Sequence, residues 1–306
     1  MATLHTADTP ADPPYWMAQP SKPKLKLPRG ACDAHVHVFG PRARFPFAEG
    51  RSYTPSDATK EMLFALHARL GIEHCVIVQP NCHGLDNRVT EDAIAAAGQS
   101  YKGVALVRTD VSDAELKRLA AAGLCGARFH YMGHLAKGPP IDEVIAFAKR
   151  LANVGWHLQI HGEAGILADM APTLKRSPVP VMIDHIGRVD ASLRLEQPAF
   201  RALLALMQDK NVWIKVSGCD RATRQGPPYA DSMPFARKLV AEFGDRVVWG
   251  TDWPHPNHTH KPDDGQLVDL IAEIAPSETA RQALLVDNPQ RFYNFAPARK
   301  LHGAPK

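Results

Sequence analysis

The chain has 306 residues, 45% of them hydrophobic and 22% charged, a balance that suits a folded globular protein and excludes wholesale disorder or a fibrous repeat. Lys and Arg number 36 against 32 Asp and Glu, with no basic block, so neither nucleic acid nor a membrane surface is an expected partner. No apolar run approaches the ~18 residues that span a bilayer. The proline-rich stretch Met1 to Pro28 is too polar for a secretory signal peptide, and the five scattered cysteines form no C-x-x-C pair, which together point to a cytoplasmic protein.

Along the chain, residues 1–29 read as an irregular arm carrying Pro10, Pro13, Pro14, Pro20, Pro23 and Pro28, with Tyr15, Trp16 and Met17 as candidate anchors. Residues 30–296 read as one domain and 297–306 as a tail. Within the domain, short apolar, β-branched runs recur at Asp33–Val38, Cys75–Val78, Gly103–Val107, Gly126–Phe129, His157–Ile160, Val179–Ile183, Val212–Val216 and Val247–Trp249. They are too short for helices and have the composition of strands buried on both faces. Between them the helical period appears at Glu61–Leu70, Ala114–Ala122, Ile141–Val154, Phe200–Gln208 and Ser232–Phe243. Eight strands alternating with helices predict an α/β fold, a single-domain (β/α)8 TIM-like barrel. An open doubly wound sheet would carry a glycine-rich phosphate loop after its first strand, and none is present.

A barrel of this kind places its chemistry at the C-terminal strand ends. Strand one ends in His35-Val36-His37, whose alternate residues point the same way. Strand four ends at Arg128 with His130 of the same parity, and strand five at His161. Strand six ends at Asp184-His185 followed by Arg188, strand seven at Lys215 and Ser217, and strand eight at Asp252. From strands one, five, six and eight, four histidines (His35, His37, His161 and His185) and Asp252 thus converge on one mouth. Such a set binds a divalent metal through imidazole nitrogens and a carboxylate, or works without one, with Asp252 taking a proton from water while histidines steady an oxyanion.

Three motifs carry a resemblance: Cys32-Asp33-Ala34-His35-Val36-His37-Val38-Phe39, Asp184-His185-Ile186-Gly187-Arg188 and Gly250-Thr251-Asp252-Trp253-Pro254-His255-Pro256-Asn257. In this order they resemble the amidohydrolase superfamily, in its 2-pyrone-4,6-dicarboxylate lactonase-like branch, from about Arg29 to Phe295. The resemblance implies a hydrolase that opens a small anionic, carboxylated lactone, as pyrone dicarboxylate lactonases and sulfomuconolactone hydrolases do. It also leaves open a lactone isomerase or decarboxylase. From another class, a catalytically silent anion-binding barrel is the alternative, against which the intact Asp252 counts.

Carried over by resemblance, Asp252 is the water-activating carboxylate, and His35, His37 and His185 polarise the lactone carbonyl. Arg128, Arg188, Arg221, Tyr53, Asn81, Asn257 and His134 contact the substrate; Arg224, one helical turn from Arg221, competes with it for that role. The pattern departs at His161, where the metal-independent lactonase has an aromatic residue, at His134, where it has an arginine, and at Asn81, where it has a serine. The lysine or glutamate that bridges two metals from strand four is missing, which leaves one metal or none. His161 favours one Zn²⁺- or Mn²⁺-like ion held by His35, His37 and His161 with His185 or Asp252, unless Glu163 satisfies that histidine instead.

The remaining signals are weaker. Asn81 or His83 touches substrate or only shapes its loop, and Cys82 is read as a small buried thiol rather than a nucleophile. His255 lies within the strand-eight motif and is expected to pair with the site. His258 and His260 are read as solvated loop histidines, with a surface metal site as the alternative. Asp287-Asn288-Pro289 is read as structural.

Overall fold

A computed structural model describes residues 4–6, 9–133, 138–258 and 260–295. His134 and the tail at 297–306 therefore lie outside the described residues.

Eight parallel strands run in sequence order around one sheet: β1 Cys32–Val36, β2 His74–Val78, β3 Tyr101–Ala105, β4 Leu124–Tyr131, β5 His157–Gly162, β6 Val181–Ile183, β7 Val212–Lys215 and β8 Val247–Val248. The ring closes where Ala34 N–H donates to the Trp249 carbonyl at 2.9 Å and Asp252 N–H donates to the His35 carbonyl at 2.8 Å. This is the expected (β/α)8 barrel.

Helices α1 Lys60–Leu70, α2 Arg88–Ala97, α3 Asp113–Ala121, α4 Ile141–Ala152, α5 Ala164–Leu174, α6 Pro198–Leu206, the single turn α7 Cys219–Ala222 and α8 Met233–Phe243 wrap the outside. Their boundaries follow local chemistry. The Ser112 side chain accepts from Glu115 N–H and caps α3, satisfying one of the donors a helix start leaves unpaired. In α4 the buried face is Val144, Ile145, Phe147, Ala148 and Leu151, the 3.6-residue stripe of a helix laid on a sheet.

Two apolar layers result. The larger lies between strands and helices, with Val36, Ile77, Ile160, Ile183 and Ile214 facing Leu63, Leu119, Leu151 and Phe200. The smaller forms the floor of the lumen from Cys32, Ala34, Val76, Val78, Val104, Met182, Trp213 and Val248, sealed below by Tyr293 and Phe295. On β1 the pairing register shifts between Asp33 and Val36. An irregularity of this kind offsets strand alternation by one residue, so Cys32 and Ala34 belong to the floor while His35 and His37 rise above it.

Residues 9–28 contain neither helix nor strand and lie along the barrel. Trp16, buried, packs against Trp253 with ring centroids 6.0 Å apart. The Ser21 N–H donates to Asp263 Oδ1 at 2.9 Å, and Lys24 and Leu25 N–H groups donate to Asp269 Oδ1. Met17, an expected anchor, is instead 37% exposed. At the other end Asn288 Nδ2 donates to the Gly244 and Val247 carbonyls, the structural role expected of that turn.

Candidate active site

Asp252 follows β8 and sits at the centre of the barrel mouth with 1% of its surface exposed. Its backbone is left-handed, φ 65°, a conformation that aspartate tolerates better than most residues. Oδ1 lies 3.6 Å from His35 Nε2, 3.4 Å from His37 Nε2 and 3.9 Å from His185 Nε2. Oδ2 is taken by the Nε–H of Arg221 from α7. One carboxylate oxygen is therefore tied to a guanidinium while the other faces three imidazoles. Burial alone would raise the Asp252 pKa, but Arg221, His185 and the β1 histidines hold it well below the usual carboxylate range.

The site rests on Asp33, buried in β1, which accepts from Thr251 N–H at 3.0 Å and Thr251 Oγ1 at 2.6 Å. Strands β1 and β8 meet so closely that a Cβ on Gly250 would lie 2.6 Å from His35 N, so only glycine fits there.

A second buried layer lies directly beneath. Asp184 Oδ2 accepts from Arg128 Nε at 2.8 Å and from Gln159 Nε2 at 3.1 Å, and Asp184 Oδ1 lies 3.4 Å from Lys215 Nζ and 3.3 Å from His35 Nδ1. Lys215, fully buried, also reaches Gln159 Oε1 at 3.0 Å and His35 Nδ1 at 3.2 Å. Burial pushes the Asp184 pKa up, and Arg128 and Lys215 more than offset it, holding the carboxyl low. Burial and then Lys215 push the His35 imidazole well below its ordinary value.

After β6 the backbone takes four consecutive positive φ angles at His185, Ile186, Gly187 and Arg188. A β-branched residue such as Ile186 is costly in that region, by about 1–3 kcal/mol. The tight left-handed turn lets both His185 and Arg188 line the mouth. His185 Nδ1 meets Ser217 Oγ at 3.0 Å, and burial takes its pKa to about 3. Burial, reinforced by Arg221, lowers Arg188 to about 10.

His37, Tyr53, Asn81, Arg128, His130, His161, His185, Arg188, Arg221, Asp252 and Asn257 converge on one cavity of about 90 Å³. Around and beneath it stand four cations, Arg128, Arg188, Arg221 and Lys215, against two buried carboxylates, Asp184 and Asp252.

The amidohydrolase family model matches residues 32–295. The chain belongs to the amidohydrolase family. It is 48% identical to a 2-pyrone-4,6-dicarboxylate hydrolase of Comamonas testosteroni over 91% of this chain and 94% of that protein. It is 38% identical to a 4-sulfomuconolactone hydrolase of Hydrogenophaga intermedia over 88% and 90%, and 30% identical to a D-galactarolactone isomerase of Agrobacterium fabrum over 90% and 95%. Among solved structures, a probable 2-pyrone-4,6-dicarboxylic acid hydrolase from Acinetobacter baumannii with citric acid bound superposes with a TM-score of 0.78 at 27% identity, covering 87% of this chain and all of that one.

Within this amidohydrolase most expected residues meet at the mouth, and several do not. His161 is not among the ligand sets: two groups of three potential metal ligands occur among the described residues, His35 with His37 and Asp252, and His35 with Asp184 and His185. His161 Nδ1 instead lies 3.2 Å from His130 Nδ1. Glu163, offered as its partner, accepts from Gly133 N–H at 2.8 Å. His255 faces away and holds Asp264 at 3.0 Å. His258, read as a solvated loop residue, has its side chain 4% exposed against Asp220. His83 ties its loop to the segment after β1 through Gly40 N–H and the Pro46 carbonyl, while Asn81 lines the cavity. Arg224 is exposed and pairs with Asp190, which leaves the position beside Asp252 to Arg221. Cys82 is fully buried, and burial pushes its thiol pKa up.

The residues without an assigned role at the sequence level are Gln159 and Lys215, together with Asp184 as the anchor of Arg128. Their signal was parity: Gln159 stands two residues before His161 and Lys215 two before Ser217, so each faces the lumen with its strand-end neighbour.

Proposed function

We propose that this amidohydrolase hydrolyses a small lactone bearing carboxylate groups, without needing a metal ion. The observation that carries the reading is the surplus of cations around the cavity, because a buried site with more fixed positive than negative charge is completed by an anionic ligand. The relatives named as hydrolases of 2-pyrone-4,6-dicarboxylate and of 4-sulfomuconolactone act on anionic lactones by their names, and a related structure holds citric acid.

In this mechanism Arg188 and Arg128 pair with substrate carboxylates, since a guanidinium fork suits a carboxylate bidentately. Tyr53, Asn81 and Asn257 border the rest of the ring. The lactone carbonyl lies beside His37 and His185, which line the cavity, with fully buried His35 behind them. His35 Nδ1 meets Lys215 Nζ at 3.2 Å and Asp184 Oδ1 at 3.3 Å; where the lysine donates the ring hydrogen sits on Nε2, and where the carboxylate accepts it sits on Nδ1. His37 Nδ1 faces the Val78 carbonyl at 2.7 Å and must donate to it, which turns Nε2 toward Asp252 Oδ1 at 3.4 Å. His185, which lines the cavity, stabilises the oxyanion through a hydrogen on Nε2 when the Ser217 hydroxyl donates to its Nδ1 at 3.0 Å.

Asp252, ionised and with Oδ1 unclaimed by Arg221, takes a proton as water adds to the carbonyl carbon. When the tetrahedral intermediate collapses, the ring C–O bond breaks and Asp252 returns that proton to the leaving oxygen.

His35, His37 and His185 around Asp252 Oδ1 are the residues that would hold a divalent ion, and it would supply a water of lowered pKa. Arg221 and Lys215, already set against Asp252 and His35, oppose a further cation there. His161, the residue that favoured a metal, pairs with His130 instead.

The test is turnover of a panel of carboxylated and neutral lactones, followed by acid release. Isomerisation without acid release, the activity in the name of the Agrobacterium relative, would replace hydrolysis.

A further inference from the structure

Arg221 belongs to α7, a helix of four residues, too short to hold its shape by its own hydrogen bonds. Its geometry must be imposed from outside. Two neighbouring side chains of α7 grip the same loop after β8. Arg221 donates from Nε to Asp252 and from Nη1 to the Pro256 carbonyl at 3.1 Å. Asp220 turns the other way and accepts from His258 Nε2 at 2.6 Å, with the two side chains 1% and 4% exposed.

His258 is itself held. Its ring meets His260 edge-on with centroids 4.5 Å apart, and His260 Nε2 lies 3.0 Å from Tyr229 Oη. His255, 6.2 Å from His258 by centroid, is locked to buried Asp264 at 3.0 Å. At the head of α7, Gly218 has φ 88° and a Cβ there would come within 3.0 Å of His185 Cβ, so the turn enters the site with no slack.

We propose that His258 is a positioning residue for the reaction: through Asp220 it fixes α7 so that Arg221 stays on Asp252 Oδ2, leaving Oδ1 directed at the histidines. Asp252 has two oxygens, and nothing in the carboxylate itself chooses which one Arg221 takes. The second attachment at Asp220–His258 removes that freedom. The proposal rests on the reading of Asp252 as the reacting carboxylate.

The variants are His258→Phe, which keeps a ring and removes the donor, and His258→Gln, which keeps an N–H near the Nε2 position. The first readout needs no substrate: butanedione modification of Arg221, followed by peptide mass spectrometry, with exposed Arg224 as internal reference. We expect the Arg221 rate to rise at least fivefold in His258→Phe and less than twofold in His258→Gln; an unchanged rate in His258→Phe overturns the proposal even if the protein is an active lactonase.

The second readout is a cycle with Arg221→Met. His258→Phe should lower kcat about tenfold in the wild-type background and by less than twofold once Arg221 is gone. An equal loss in both backgrounds means a merely structural role and overturns the proposal. Should His258→Phe fail to fold, Asp220→Asn replaces it in both measurements with the same expectations. A wild-type protein that hydrolyses no lactone refutes the proposed function, while the modification rates still decide the positioning role.

Discussion

Replacing Asp252 with asparagine keeps the shape of the side chain and removes its charge, so it separates chemistry from packing. A positioned base contributes about 10²–10⁴-fold to rate, equivalent to about 2.7–5.5 kcal/mol in the barrier, and kcat should fall by at least a hundredfold. Stability should fall too, because Arg221, its side chain 11% exposed, loses its carboxylate. Removing one partner of a buried pair costs about 3 kcal/mol or more. For 306 residues, an unfolding entropy of ~2.1 cal/mol/K per residue gives ~0.6 kcal/mol per degree, so Tm should drop by about 5 °C. The assays are steady-state turnover of a carboxylated lactone, thermal melting, and the melting shift given by isophthalate, a dicarboxylate that cannot be hydrolysed. Isophthalate should still bind. Turnover within threefold of wild type would remove Asp252 from the mechanism.

Three further outcomes follow from the geometry. Arg188→Met should raise KM for a carboxylated lactone far more than for a neutral one, and wild-type KM for the anion should climb as pH rises through about 10, where Arg188 loses its proton; unchanged selectivity would take Arg188 out of the anion clamp. The buried His157 and His185 have pKa values of about 3, below the ~6.5 of an unfolded histidine, so the unfolded chain binds more protons below pH 6.5 and stability must fall on acidification from there toward 3. At pH 5 these two together should cost about 4 kcal/mol relative to pH 7, read from urea midpoints, and a flat profile would contradict their burial as neutral rings. Dialysis against chelator should leave turnover within twofold and metal content below about a tenth of an equivalent; a loss above tenfold restored by Zn²⁺ or Mn²⁺ would move water activation to an ion among His35, His37, His185 and Asp252.

The barrel was legible because buried parallel strands announce themselves as short β-branched runs, and all eight predicted runs begin within two residues of an observed strand. Helices α2 and α5 were not predicted; in α5 Pro172 sits inside the helix, and its sequence of small and apolar residues lacks a clean polar face. The strand-end histidines and arginines were legible because alternation on a strand fixes the side they face. What strand position could not supply was which neighbour each polar group would choose. His161 had Glu163 on its own strand end, yet it pairs with His130 across the β4–β5 register, while Glu163 caps a loop amide. His258 read as a loop histidine because its partner, Asp220, is 38 residues away and only the fold brings them together.

The most direct test of the central claim is acid release from matched lactones, one carrying two carboxylates and one esterified to neutrality, by the purified wild-type protein in chelator. Hydrolysis of the dianionic lactone with kcat/KM at least a hundredfold above its neutral counterpart is the expected result. A melting shift with the dianion but no acid released, or equal rates on both lactones, would contradict it.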